Sequence, residues 1–180
     1  AQHLLEALDA VPDAADNVLQ ALAGLAQAHA LGIVHRDLKP ANLFLAKQPD
    51  GSAHIKVVDF GIAKLAATAG KNTGRITGAG AAMGSPMYMS PEQVRDAKSV
   101  DHRADIWAIG VVLYELVVGD VPFAADVVGE IFAAVLEQKI VSPRKRQPDV
   151  PEGLDAAIMG CLHRDPRKRY ANVAALARAI

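Results

Sequence analysis

Three side chains in the first third of the chain have the residue types needed for proton transfer and metal binding. Asp37 lies in the stretch His-Arg-Asp-Leu-Lys, Asn42 follows five residues later, and Asp59 begins Asp-Phe-Gly. A carboxylate is a weak base, but it can accept the proton of an attacking hydroxyl, because that hydroxyl becomes acidic once its oxygen begins to bond to the atom that it attacks. Carboxylate and amide oxygens are ligands that Mg²⁺ prefers. These residue types could bind a magnesium ion and accept a proton within one site.

The segment between Asn42 and Asp59 predicts how these side chains come together. Residues 43–46 and 54–58 are short apolar runs joined through Pro-Asp-Gly at 49–51, a pattern typical of a β-hairpin. A hairpin flanked by Asn42 at one end and Asp59 at the other places both oxygen ligands side by side.

Helical spacing accounts for much of the remaining chain. Val18, Leu22 and Leu25 recur on one helix face, and Gly32 stands where a left-handed residue commonly ends a helix. The apolar run 106–118 is too short to span a bilayer, which favours a buried core helix. Three further helical stretches are predicted at 127–136, 154–162 and 172–180.

The two polar motifs together resemble the signature of a known enzyme family. They fit H-R-D-L-x-x-x-N and D-F-G, the pair found in eukaryotic-like protein kinases, and the chain is most similar to bacterial members. The resemblance implies transfer of the ATP γ-phosphate, with Mg²⁺, to protein Ser or Thr hydroxyls. It assigns catalysis to Asp37, Lys39 and Asn42, and metal binding to Asn42 and Asp59. Lys39 resembles the lysine that Ser/Thr-specific kinases place against the γ-phosphate, which favours Ser/Thr substrates.

The resemblance covers nearly all of the chain but only the large lobe of the family's domain. We therefore expect an α+β, mainly α fold, a partial kinase domain over residues 1–180. Residues 35–42 resemble the family's catalytic loop. No Gly-rich loop and no V-A-I-K strand precede this loop, so we expect the N-terminal lobe upstream in a longer polypeptide. Beside Asp59, the nucleotide contacts that remain are Phe44, at the floor of the adenine pocket, and Val58. The chain alone is expected to bind ATP weakly.

Residues 59–92 resemble the activation segment, which ends here in Ser-Pro-Glu instead of Ala-Pro-Glu. Thr73 and Thr77 are candidate phosphosites, since a phosphate there would pair with Arg36 through charge-assisted hydrogen bonds. The alternative interpretation of both is an ordinary loop hydroxyl. Ser85 stands where these kinases usually have a Thr whose hydroxyl bridges the catalytic Asp and Lys beside the docked substrate.

The resemblance also implies five structural residues. His35 would pack beneath Phe60 in the spine that joins the lobes, and we favour this role over that of a general base. Asp105 would hold the backbone of the catalytic loop, although a carboxylate at a helix start is the simpler alternative. Arg169 would pair with Glu92, and a buried pair of this kind loses several kcal/mol when one partner is removed.

Composition and net charge indicate which classes of binding partner and which cellular compartment to expect. A net charge of −1 does not indicate nucleic acid or an anionic membrane, and the basic runs at 144–146 and 167–169 are interpreted as solvated turns. The single cysteine, Cys161, excludes a disulfide framework and is predicted to be an inert buried thiol. With no signal peptide pattern at its start, the chain is expected in the cytoplasm, and any membrane anchor would lie outside these residues.

Two functions follow from these observations. The first is an active Ser/Thr kinase whose missing lobe lies upstream, because Asp37, Asn42 and Asp59 are all present. The alternative is a catalytically inactive, truncated lobe that docks partners as a protein-interaction module. A Gly-rich loop and strand lysine upstream would favour the kinase.

Overall fold

The computed structural model describes residues 14–47, 53–60, 86–96 and 100–180. These residues are mainly helical with one small antiparallel sheet, so the predicted fold class is confirmed. The described α-helices are α1 (Ala14–Ala30), α2 (Pro91–Arg95), α3 (Arg103–Val118), α4 (Val128–Glu137), α5 (Pro143–Arg146), α6 (Glu152–Cys161) and α7 (Val173–Ala177). The strands are β1 (Leu43–Lys47) and β2 (Ala53–Val57), and single turns of 3-10 helix occupy Pro40–Asn42, Pro86–Tyr88 and Pro166–Lys168.

Helix α1 delivers the chain to the catalytic loop. Its buried face includes Leu22 and Leu25, and it packs against β2 and α7. Gly32 ends the turn after the helix with a φ of 73°, a conformation that costs glycine little. The amide of Ile33 donates to the carbonyl of Ala28 at 2.9 Å, which closes this turn and directs the chain away from the helix axis.

The predicted hairpin is confirmed, with its second strand one residue earlier than expected. Leu43 pairs with Val57, and the register continues to Lys47 opposite Ala53. Ile55 is buried, and its amide donates to the side-chain oxygen of Gln20 at 2.9 Å. This bond ties the sheet to helix α1, so the hairpin has a fixed position beside the catalytic loop.

Helix α3 forms the centre of the core, as the sequence predicts. All residues from Ala104 to Tyr114 are buried, so the helix is enclosed on every side instead of along one stripe. The ring of Trp107 stacks on that of Phe123 with centroids 5.9 Å apart. Gly119, with a φ of 82°, ends the helix in the left-handed conformation.

Two of the predicted helices differ from the structure. The stretch expected over 127–136 is helical from Val128 to Glu137, with Val127 as its N-cap, and the exposed fractions of Val127 and Val128 are 57% and 46% although both belong to its apolar pattern. The last helix was expected over 172–180 but spans only Val173–Ala177. Asn172 is its N-cap and accepts from the amide of Ala175 at 2.9 Å. No helix in the described ranges is long and apolar enough to cross a membrane.

Candidate active site

Asn42 lies at the end of the catalytic loop with its side chain in a single defined orientation. A 3-10 turn over Pro40–Asn42 leads into β1, and Asn42 is 4% exposed. Its amide nitrogen donates to the backbone carbonyl of Asp37 at 2.7 Å. A carbonyl only accepts, so the nitrogen must face it, and the side-chain oxygen is left to serve another donor or a metal ion.

Asp37 and Lys39 place opposite charges close together. The Lys39 ammonium is 3.6 Å from an oxygen of the Asp37 carboxylate, and the two side chains are 23% and 14% exposed. The pair therefore presents a proton acceptor and a positive charge at one partly shielded position. A fixed cation at such a site favours an approaching anion.

Asp105 holds the backbone of the catalytic loop from below. It is fully buried, and its two oxygens accept from the amides of His35 and Arg36 at 2.8 and 2.9 Å. The ring of His29 adds a third contact at 2.8 Å. These three hydrogen bonds replace those that the Asp105 carboxylate would make with water. Two of them also hold the backbone of His35 and Arg36, just before Asp37.

Both ring nitrogens of His35 are already engaged. Nε2 donates to the carbonyl of Val58 at 2.9 Å, and Nδ1 accepts from the amide of Asp37 at 3.3 Å. The ring lies 4.7 Å from that of Phe60, centroid to centroid. Because the fully buried ring has no nitrogen left for a substrate proton, it acts in this structure as a support between the two motifs.

Asp59 lies two residues after the end of β2. It is exposed, and its backbone conformation is unusual. Its φ is 56°, a left-handed value that costs a residue with a side chain about 1 to 3 kcal/mol and occurs often at functional sites. The amide of Val58 donates to the carbonyl of Asn42 at 2.9 Å. The hairpin thus brings Asn42 beside the residue that precedes Asp59. Phe44 lies nearby on β1 with 60% of its surface exposed.

Glu92 and Arg169 form a two-pronged ion pair with N–O distances of 2.6 and 2.7 Å. The Arg169 side chain is fully buried, whereas that of Glu92 is 19% exposed. Arg169 also donates to the carbonyls of His163 and Arg103 at 2.7 and 2.8 Å. The pair therefore connects the end of the activation segment with the core helix and the C-terminal part of the chain.

Comparison with known proteins identifies the family that this geometry belongs to. The sequence pattern of the protein kinase domain matches residues 6–179. The chain belongs to the protein kinase family. The family uses ATP and Mg²⁺, and the proposed resemblance to bacterial kinases is confirmed by individual relatives.

Three relatives show how much of a kinase the chain represents. Serine/threonine-protein kinase pkn3 of Myxococcus xanthus is 37% identical over 160 residues, which are 88% of this chain and 29% of that protein. Serine/threonine-protein kinase PknB of Mycolicibacterium smegmatis is 38% identical over 81% of this chain and 22% of its own length. Tyrosine-protein kinase MasK of M. xanthus is 39% identical over 83% and 22%. The chain thus spans less than a third of each of these relatives.

Several activation-segment residues of this kinase domain lie outside the described residues, among them Thr73, Thr77 and Ser85. Arg36, the expected phosphate partner, is described. One nitrogen of its guanidinium donates to the carbonyl of Val100 at 3.3 Å. The other terminal nitrogen is buried and has no hydrogen-bond partner among the described residues.

Two of the residue pairs that sequence reasoning missed lie near the kinase site. The contact between His29 and Asp105 is one, and the only local signal was a histidine in the last turn of α1. The other joins Tyr88 to Glu115, whose carboxylate accepts from the Tyr88 hydroxyl at 2.6 Å. Burial and this hydrogen bond raise the pKa of Tyr88 well above its ordinary value. The contact docks the C-terminal part of the activation segment onto helix α3.

Proposed function

We propose that this kinase domain belongs to an active Ser/Thr protein kinase whose nucleotide-binding lobe lies upstream in a longer polypeptide. The observation that carries the proposal is the orientation of Asn42. Its nitrogen is held by the Asp37 carbonyl at 2.7 Å, so its side-chain oxygen is turned away from that carbonyl, and its backbone carbonyl accepts from the amide of Val58, the residue before Asp59. This is an oxygen donor set that suits Mg²⁺ and not a soft metal.

Each residue of the site then has a distinct task. When bound, ATP with Mg²⁺ would supply the phosphoryl group and neutralise part of its charge. Asp37 accepts the proton of the substrate hydroxyl, and Lys39, 3.6 Å from it, attracts the anionic group to be transferred. Asn42, just before β1, and Asp59, shortly after β2, supply oxygen ligands at the open end of the hairpin. Phe44 and Val58 contribute an apolar surface to the adenine.

The substrate hydroxyl is proposed to be that of protein Ser and Thr. Lys39 and the relatives named as serine/threonine kinases favour protein Ser and Thr. A relative of similar identity is named as a tyrosine kinase. The phosphorylated residue type therefore has to be identified directly in the test.

Regulation would act through Arg36. We propose that a phosphate group on Thr73 or Thr77 pairs with the Arg36 guanidinium, since one terminal nitrogen of that group lacks a partner among the described residues. A phosphate adds about two negative charges and three strong acceptors, so it would order the activation segment against the catalytic loop.

The test is phosphate transfer from labelled ATP by the full-length polypeptide. We expect Mg²⁺-dependent label on Ser or Thr, identified by acid hydrolysis and separation of the phosphoamino acids. Asp37→Asn should lower kcat by about 100-fold or more, because the positioned proton acceptor is lost. Asp149→Asn, at an exposed position far along the chain from the site, is the matched control and should retain activity.

Two results would contradict the proposal. If the folded full-length protein transfers no phosphate to any protein substrate tested, the interaction module becomes the better account. If Asp37→Asn and Asp149→Asn have equal activity, the hydroxyl is not activated at this site. Label on Tyr alone would keep the kinase but replace Ser and Thr as its substrates.

A further inference from the structure

Gln93, in the first turn of helix α2, makes hydrogen bonds in two directions. Its side-chain oxygen accepts from the amide and the hydroxyl of Ser90 at 3.0 and 3.1 Å. Its side-chain nitrogen donates to the carbonyl of Arg36 at 2.8 Å, across 57 residues of sequence. The first set of contacts is a capping box at the helix start. The second leads out of the helix to the catalytic loop.

The capping box alone does not account for a glutamine here. Glutamate serves equally well at this position of a capping box, because only a side-chain oxygen is needed. The contact with Arg36 requires a donor, since a backbone carbonyl can only accept. An amide side chain provides the acceptor for Ser90 and the donor for Arg36 at the same time.

Arg36 has a backbone conformation that such a contact would stabilise. Its φ is 65°, a left-handed conformation that a residue with a side chain rarely adopts without support. Its amide donates to Asp105 at 2.9 Å, and its carbonyl accepts from Gln93. Hydrogen bonds thus hold Arg36 on both sides, and Asp37 follows directly in the chain. Gln93 and Asp37 also line the same small cleft.

We propose that Gln93 is a positioning residue for the catalytic loop: it holds the strained backbone of Arg36 and thereby the direction of Asp37. The proposal rests on the kinase activity proposed above and adds a residue to it. Because the bond joins α2 to the catalytic loop, correct seating of the Ser-Pro-Glu end of the activation segment is required for the placement of Asp37.

Two variants of the full-length protein distinguish the contact of Gln93 with Ser90 from its contact with Arg36. Gln93→Glu keeps an oxygen for Ser90 and removes the donor to Arg36. Ser90→Ala removes the hydroxyl contact and leaves the bond between Gln93 and Arg36. We expect Gln93→Glu to lower kcat by about tenfold or more, because small displacements of a reacting group are costly, with the KM for ATP unchanged. Ser90→Ala should stay within about twofold of the wild type.

Hydrogen–deuterium exchange provides a readout that does not depend on activity. In Gln93→Glu, the amides of the peptide covering residues 33–40 should exchange faster than in the wild type, whereas in Ser90→Ala they should not. Thermal unfolding of Gln93→Glu should be close to that of the wild type, since Glu preserves the helix cap, whereas Ser90→Ala should unfold at a lower temperature because it removes the N-cap hydroxyl. This pattern supports the positioning role.

Other results overturn it. Equal exchange and equal kcat in Gln93→Glu and the wild type would mean that the bond to Arg36 has no effect on the loop. Equal losses of kcat in both variants would mean that Gln93 acts only as part of the helix cap. If even the wild-type protein transfers no phosphate, the proposed function fails, and the exchange comparison alone decides for or against the role of Gln93.

Discussion

At the scale of single residues, Arg169 shows how a buried charge is accommodated. Its guanidinium is fully buried, and it meets the Glu92 carboxylate, two nearby carbonyls and the face of Trp107, whose ring centre is 5.1 Å away. Guanidinium carries five N–H donors in a fixed fork, and this environment matches that geometry. The position therefore tolerates little except arginine.

Replacing Arg169 by Met should lower the free energy of unfolding by about 3 to 5 kcal/mol, because Glu92 and two carbonyls lose their donor. Urea unfolding followed by circular dichroism measures the change. The matched control is Arg144→Met, since Arg144 is 43% exposed and its partner Glu152 is 89% exposed. That pair should contribute less than about 1 kcal/mol. Equal effects of the two substitutions would show that the buried pair is not important for stability.

His29 and Gln93 represent a second kind of residue, one whose importance depends on distant partners. His29 contacts Asp105 across 76 residues, and Gln93 contacts Arg36 across 57. Neither residue lies in a motif. Their roles follow only from the hydrogen bonds that the folded chain makes.

At the scale of elements, the contact between α3 and α6 depends on a glycine. A Cβ atom at Gly110 would lie 2.4 Å from the Cβ of Cys161 and 3.1 Å from Leu162. Both neighbours are buried, so they cannot move aside into solvent. The absence of a side chain lets the two helix backbones approach closely at the centre of the core.

Gly110→Ala should therefore destabilise the protein by about 1 to 3 kcal/mol, because the two helices must separate to admit a methyl group. The control is Gly129→Ala, in helix α4, where a Cβ would meet no atom within 4 Å. Alanine has the higher helix propensity, so this control should be neutral or more stable by up to about 1 kcal/mol. Thermal unfolding of both variants measures the difference. A Gly110→Ala protein as stable as the Gly129→Ala protein would contradict the close approach.

At the scale of the whole molecule, Cys161 provides a natural probe of global opening. It is the only cysteine in the chain and is fully buried. Burial raises the pKa of its thiol far above the ordinary value, more than the nearby Arg169 lowers it. The native thiol therefore stays protonated at pH values where a free cysteine, with a pKa of about 8.5, is half ionised.

We expect iodoacetamide to leave Cys161 unmodified in the native protein, and the rate to stay near zero between about pH 7 and pH 9. In unfolding concentrations of urea, the same residue should react readily and faster as the pH rises. Mass spectrometry of the Cys161 peptide measures both rates. Rapid modification under native conditions would show that the core around α3 and α6 opens without global unfolding.

The sequence by itself determined the family and predicted the residues of the candidate site. Asp37, Asn42 and Asp59 are predicted from motifs whose residues lie a few positions apart, and the short apolar runs between Asn42 and Asp59 predicted the hairpin. The buried helix α3 followed from its continuous apolar run. These features depend on local spacing, which is written directly in the order of residues.

Only the tertiary structure decided which distant groups meet. The bond from Gln93 to Arg36 and the contact between Tyr88 and Glu115 join elements that fold from separate parts of the chain. Helix α7 also ends at Ala177, three residues earlier than predicted. Side-chain hydrogen bonds are set by geometry after packing, since many partners are possible for a polar residue and only the folded backbone selects among them.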